Sequence, residues 1–298
     1  MRIAVIGTSG QLGFDLQRIL PGRGGGGHEV VSFSGRAELD ITDAAAVGRM
    51  LDERKPGVVI NTAAFHNVDL CEKETDAAYR TNVVAVREMA KACEARGVIF
   101  VQIGTDYVAE GWPACKPVPE SAAVHPNSIY SLTRFGGDCM TLAHAPTWGY
   151  VVRSCGLFGV AGCKLKGGLN FVDTMVKAAR EGKHLRVVDD QTVAPTPTDD
   201  LAVQLATILE AGRERCAPGL YHAVSHGEVT WFGFAKRALE LAGVKHTIEP
   251  VASSVYAAPA KRPRYSVLDN AKLRAVGLDV MRGWEEGLER FVRVKYGS

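Results

Sequence analysis

"RIAVIGTSGQLGFDLQRIL", residues 2–20, joins an apolar run, a glycine-spaced loop and an amphipathic stretch. "RIAVIG" (2–7) reads as a buried strand and "QLGFDLQRIL" (11–20) as a helix. Glycines 7, 10 and 13 fall between and into them. In a strand–loop–helix setting each has its own use. Gly7 permits the sharp turn, Gly10 lets backbone approach a pyrophosphate, and Gly13 lets the helix pack closely on the strand. The helix N-terminus then faces the phosphates. The spacing is GxxGxxG, so the setting carries more weight than the glycines themselves.

The same alternation continues downstream. "HEVVSFS" (28–34), "GVVINTAA" (57–64), "VIFVQIGT" (98–105) and part of "TWGYVVRSCGLFG" (147–159) read as strands. Between them lie helical stretches at 41–55, with Thr42 as N-cap, at 75–97, ended by Gly97, and at 126–145. Strands alternating with helices predict an α/β fold, a Rossmann-type doubly wound parallel sheet, with a smaller C-terminal substrate-binding lobe. The boundary is expected near 158: residues 1–158 form the dinucleotide-binding domain and 159–298 mainly the lobe, with segments near 170–210 returning to the first domain. A helix near 170–181 and a strand "LRVV" (185–188) are assigned to the same sheet. "GLYHAVS" (219–225) and a helix from Thr230 to Gly243 are assigned to the lobe. "GRGGGG" (22–27) reads as a turn and "AAPAKRPRYS" (257–266) as loop.

The chain has 298 residues, 46% hydrophobic, enough for a large core. With 35 basic against 33 acidic residues it has no basic stripe to suggest a nucleic-acid partner. No apolar run approaches membrane-spanning length, and residues 1–20 do not read as a signal peptide. Seven widely spaced cysteines without a CxxC read as reduced thiols of a cytoplasmic protein. His222 and His226 have i, i+4 spacing but fall at a strand end and in a loop, so no metal is expected. Cys155 reads as a small packing residue. The pairs Asp189–Asp190 and Asp199–Asp200 read as caps of loops or helices.

"IYSLTR" (129–134) carries the candidate chemistry. Among the tyrosines, Tyr130 alone has a basic residue four positions on, Arg134. On a helix those positions share a face. A phenol beside a fixed cation is a means of protonating a carbonyl oxygen. Thr105, ending the fourth predicted strand, can offer a second hydroxyl, and Asn61 and Asn82 are expected around the same crevice. At the end of the second strand "SFSGRAELD" puts Arg36 where a cation can meet a ribose 2′-phosphate, with Thr8, Ser9 and Ser34 adding hydrogen bonds. NADPH is therefore the expected cofactor, NADH remaining open.

Together these residues resemble the extended short-chain dehydrogenase/reductases, and closely one branch, the dTDP-4-dehydrorhamnose reductase family. The motifs run over nearly the whole chain: "GTSGQLG" (7–13), "ELDITD" (38–43), "NTAAFHNVDLCEKE" (61–74), "GTDYVAEG" (104–111), "YSLTR" (130–134), "DQTVAPTPTDDLA" (190–202), "GLYHAVSHGEVTW" (219–231) and "RPRYSVLDNAKL" (262–273). The resemblance implies hydride transfer from NAD(P)H to a nucleotide-linked 4-keto-6-deoxy sugar or another ketone. It implies catalytic roles for Thr105, Tyr130 and Arg134. It implies cofactor contacts from Gly7, Ser9, Gly10, Gln11, Leu12, Arg36, Asp40, Ile41, Ala63, Ala64, Asn82, Tyr130 and Arg134. Substrate contacts fall to Thr105, Asp106, Tyr107, Asn170 and Arg262, and a homodimer is left open. The family also includes a non-catalytic regulatory subunit of methionine adenosyltransferase, an alternative reading.

The departures from the family pattern lie on the substrate side. The usual lysine is Arg134, the serine before Thr105 is Gly104, "RTSW" has become "RSCG" (153–156), a tyrosine is Phe65, and the asparagine of "RPxNS" is Tyr265. An arginine keeps its charge but cannot relay a proton. That suits ketone reduction, in which the tyrosine starts protonated, better than the reverse oxidation.

Overall fold

A computed structural model describes residues 1–163 and 167–297. Its strands are β1 (Arg2–Ile6), β2 (Glu29–Phe33), β3 (Val58–Asn61), β4 (Ile99–Thr105), β5 (Gly149–Ser154), β6 (Leu185–Val188), β7 (Thr192–Val193), β8 (Gly219–His222), β9 (Val229–Thr230) and β10 (Ile248–Val251). Its helices are α1 (Gln11–Ile19), α2 (Ala44–Arg54), α3 (Val68–Cys71), α4 (Thr75–Tyr79), α5 (Ala85–Glu94), α6 (Ile129–His144), α7 (Phe171–Arg180), α8 (Thr198–Arg215), α9 (Trp231–Leu241), α10 (Ala271–Ala275) and α11 (Trp284–Tyr296).

β3 is buried along its whole length and β1 from its second residue on. Apolar strands buried on both faces call for a parallel sheet with helices on each side. The sheet is six-stranded and parallel, in the order β2-β1-β3-β4-β5-β8. On one face Leu12 and Leu16 of α1 pack with Leu201, Leu205 and Ile208 of α8. On the other, Val47, Met50 and Leu51 of α2 pack with Val86 and Met89 of α5. A third cluster unites α7, α9 and α11 through Val176, Phe234, Leu288 and Phe291. The strand order reverses between β1 and β3, and a ligand crevice forms beyond the strand ends at such a point.

Several expectations need correction. β6 does not join the main sheet; it pairs in parallel with β10, from Leu185–Ile248 to Val188–Val251. Only alternate residues of β6 are well covered, as suits a small ribbon with one wet face. β8, assigned to the lobe, is instead the sixth strand of the main sheet, where Tyr221 stacks on Tyr150 with ring centroids 6.3 Å apart. The long helix α8 returns to the sheet between them. Asp43, not Thr42, caps α2, accepting from the N–H groups of Ala45 and Ala46. The stretch 75–97 is not one regular helix, because a π turn at Arg80–Val84 separates α4 from α5. The main sheet takes in strands from both sides of residue 158, since β8 joins it beside β5.

Leu205 is 1% exposed between α8 and the sheet, away from the crevice. Leu205→Ala is expected to lower stability by about 2–5 kcal/mol, read from the shift in urea midpoint.

Candidate active site

The turn after β1 is built by close contacts. Gly7 has φ +89°, and a Cβ there would lie 2.6 Å from Thr62 Oγ1. A Cβ on Gly13 would lie 2.3 Å from the Gly7 carbonyl oxygen, so α1 starts hard against the strand it follows. Gly10 is the N-cap of α1 and offers no side chain to the first N–H groups. Those donors need an outside acceptor, which makes the helix end an anion seat.

That seat opens into a cleft of about 1950 Å³ at the strand ends. Gly7, Ser9, Gly10, Gln11 and Leu12 line it after β1; Arg36, Asp40 and Ile41 line it after β2; Ala63 and Ala64 line it after β3. An open helix N-terminus, a small apolar wall and a polar end near β2 together fit a dinucleotide. Gln11 also ties this side to the loop after β5: its amide donates to Leu157 O and accepts from Gly159 N.

Asn61 and Asn82 are placed differently from the expectation. Asn61 is fully buried in the sheet, donating to Gln102 Oε1 at 2.8 Å and accepting from Ala63 N. Asn82 sits in the π turn; its amide accepts from Phe65 N and donates to Phe65 O and Thr133 Oγ1. Neither residue is among those that line the cleft. Asn82 instead clamps the loop after β3 to α6.

α6 begins in a capping box formed by Ser128 and Ser131. The Glu72 carboxylate adds a further acceptor for Ile129 N, at 2.8 Å. One residue on, the Tyr130 hydroxyl donates to Thr105 Oγ1 at 3.4 Å, and the Tyr107 ring stands edge-on to the Tyr130 ring. Arg134 is buried beneath them: its guanidinium donates to the Ile103 carbonyl oxygen, and its Cζ lies 5.9 Å from the Tyr130 ring centroid. Thr105, Tyr130 and Arg134 all reach the cleft. Gly104 follows from its neighbours, since a Cβ there would lie 2.6 Å from Arg153 Cγ. Arg153 forms a buried ion pair with Asp138, one turn beyond Arg134, at 2.8 Å.

Behind Thr105 lies a buried network that the sequence did not reveal. Thr105 Oγ1 accepts from Tyr107 N and donates to Asp106 Oδ1, each at 3.3 Å. Asp106 Oδ2 accepts from Ser266 Oγ at 2.6 Å and from Cys155 Sγ at 3.1 Å. Burial pushes the Cys155 thiol well above its ordinary value, so it stays a protonated donor. Burial also holds the Asp106 carboxyl above the ordinary carboxylate range, against the hydrogen bonds of Ser266, Cys155 and Thr105. Asp106 thus lines the cleft while spending its carboxyl on partners within the protein, and Cys155 does more than fill space.

The remaining substrate-side residues are also engaged. Asn170 caps α7, accepting from Asp173 N, and donates to Gly159 O at 3.1 Å. Arg262 pairs with Asp69 at 2.9 Å and donates to Ala260 O, which ties the 257–266 loop to α3. Tyr265 is buried and donates its hydroxyl to Glu228. The indole of Trp231 comes within 3.4 Å of where a Cβ on Gly156 would stand. Asp189 accepts from Thr230, Asp190 from Ser253, and Asp200 pairs with Arg290. Among the described residues no cluster suits a metal ion, no disulfide forms, and no helix is long and apolar enough to cross a membrane.

The chain matches the model of the RmlD substrate binding domain over residues 1–296. It is 39% identical over 289 residues to a dTDP-4-dehydrorhamnose reductase of Streptomyces griseus, covering 96% of this chain and 91% of that protein. It is 34% identical to a dTDP-4-keto-6-deoxy-D-glucose reductase of Streptomyces niveus, over 96% of this chain and 95% of that one. A crystal structure of dTDP-4-dehydrorhamnose reductase from Bacillus anthracis in complex with NADP superposes with a TM-score of 0.88 at 33% identity, covering 97% of this chain and 98% of that chain.

The raised Asp106 carboxyl has a consequence for stability. Above the ordinary value of 3.8 the unfolded chain has released this proton while the folded chain still holds it. The folded state then binds more protons, so this group's contribution to stability falls as pH rises, until the folded carboxyl also ionises. Asp106→Asn keeps the shape without the titration. Stability of the variant relative to the original chain is expected to rise with pH above 4, measured by urea unfolding at a series of pH values.

Proposed function

Because the chain belongs to the RmlD substrate binding domain family, that of the dTDP-4-dehydrorhamnose reductases, we propose that it reduces the ketone of a nucleotide-linked 4-keto-6-deoxy sugar with NADPH. The observation that carries this reading is the meeting of the Tyr130 and Thr105 hydroxyls at 3.4 Å, in the same cleft as the open N-terminus of α1. The named relatives act on dTDP-linked sugars, so a dTDP-linked 4-keto sugar is the substrate we favour.

Bound NADPH supplies the hydride. Tyr130 delivers the proton to the carbonyl oxygen, and Thr105 holds that oxygen from a second side. Arg134 keeps a fixed positive charge beside the phenol, which favours the anion left when Tyr130 gives up its proton. It cannot itself restore that proton, so reprotonation comes from solvent in the cleft. Arg134 is held by its bond to the Ile103 carbonyl, and this anchorage lets an arginine stand where the family pattern has lysine.

The test is turnover of dTDP-4-dehydrorhamnose by two variants. Tyr130→Phe should lower kcat by about 10²–10⁴, the usual worth of general acid catalysis, with NADPH still bound. Arg134→Lys should raise turnover by opening a relay through the ammonium. Equal rates for Tyr130→Phe and the original chain would remove Tyr130 from the chemistry.

A further inference from the structure

Once Tyr130 has given its proton away, its oxygen needs another, and Arg134 cannot supply one. The structure offers solvent a route to that oxygen through the protein. The Tyr130 hydroxyl lies 3.4 Å from Thr105 Oγ1, and Thr105 Oγ1 lies 3.3 Å from Asp106 Oδ1. A hydroxyl is donor and acceptor at once, so Thr105 can take a hydrogen on one side and give one on the other. Asp106 itself lines the cleft. Its two other donors, Ser266 Oγ at 2.6 Å and Cys155 Sγ at 3.1 Å, both go to Oδ2. A carboxylic hydrogen on Asp106 therefore belongs on Oδ1, the oxygen that faces Thr105.

The other acids around Tyr130 are poorer sources. Tyr107, whose ring stands edge-on to that of Tyr130, has its phenol pushed up by burial. The Cys155 thiol is pushed up likewise, and it touches Asp106 rather than Thr105. Burial raises the Asp106 carboxyl too, so it holds a proton more readily than an exposed carboxyl does. A carboxyl is nonetheless a stronger acid than a phenol, and transfer from it to a tyrosinate runs downhill.

We infer that Asp106 is the proton reserve for Tyr130, acting through Thr105. The inference rests on the ketone-reduction reading of the site. When Tyr130 is left as an anion, Thr105 gives its hydroxyl hydrogen to the Tyr130 oxygen and takes the carboxyl hydrogen from Asp106 Oδ1. Two O–H bonds break and two form. The negative charge passes to Asp106, where the Ser266 and Cys155 donors hold the carboxylate. A solvent proton entering by the cleft then restores the acid. The chain so formed does the relaying that an ammonium can do and the guanidinium at 134 cannot.

The full chain, Asp106→Asn, Arg134→Lys and Asp106→Asn/Arg134→Lys would be compared by stopped flow with NADPH and dTDP-4-dehydrorhamnose, following dinucleotide absorbance in the first turnover and in the steady state. Tyr130 starts protonated, so Asp106→Asn should slow the steady state about tenfold or more beyond any effect on the first turnover. With Arg134→Lys present the ammonium provides another route, and Asp106→Asn should then cost the steady state less than about threefold. The comparison of the two phases decides even where Arg134→Lys does not fold. Asp106→Asn slowing both phases alike, or costing the same factor with arginine and with lysine, would make Asp106 a structural support and overturn the reserve. No NADPH oxidation by the original chain with this ketone would overturn the reductase reading and the inference with it.

Discussion

Everything at the catalytic end of the cleft depends on how closely α6 crosses the helical segment that runs from α4 into α5. At Gly137 a Cβ would lie 2.4 Å from the Asn82 carbonyl oxygen, so the two backbones meet almost without intervening side chain. The crossing falls on the π turn, which directs Asn82 at both neighbours. Its amide holds Phe65 on the loop after β3 and Thr133 on α6. Four residues before Gly137 on the chain is Thr133, and three before that is Tyr130, whose hydroxyl reaches Thr105 only at 3.4 Å. That is already a long hydrogen bond. Any side chain at 137 would push α6 off that segment and move Tyr130 with it. π turns recur at functional sites, and here the physical reason is visible: the turn spends one asparagine on holding three elements in register.

The first βα unit was legible because its signals are local. A buried strand, three glycines and an amphipathic helix sit within residues 2–20, and the contacts of Gly7 and Gly13 follow from that order. The alternation of strands and helices through β5 was legible for the same reason. What could not be read depended on distant pairing. The edge strand β8 carries too few residues to declare whether it joins β5 or the lobe, and β6 finds its partner far downstream in β10, Leu185 opposite Ile248. The helix α8 carries apolar residues at 201, 205, 208 and 209, a helical period that is legible in the sequence.

At the site, residue types were a good guide to what lines the cleft and a poor guide to where side chains spend their hydrogen bonds. Asn82, Asn170 and Asp106 belong to motifs rich in polar groups, yet each is buried and bonded within the protein. Burial without a partner is costly for such groups, so polar residues near a site are often its scaffold. The Cys155–Asp106–Ser266 cluster unites three distant stretches of chain and has no signature in any one of them. The same reasoning explains Arg134. A buried guanidinium needs acceptors, and the Ile103 carbonyl provides one, while Asp138 below answers Arg153. Two cations thus lie at this end of α6, Arg134 with its Cζ 5.9 Å from the Tyr130 ring centroid and Arg153 paired with Asp138.

The central claim is that the Tyr130–Thr105 pair marks the point of a hydride transfer to a sugar ketone. The most direct test is the fate of the hydride: incubation with dTDP-4-dehydrorhamnose and NADPH with both hydrogens at nicotinamide C4 replaced by deuterium, with NMR of the sugar product. The account predicts one deuterium on sugar C4, matched by loss of the dinucleotide's absorbance. A chain that binds the dinucleotide yet leaves it unoxidised, or a product without deuterium at C4, would contradict it.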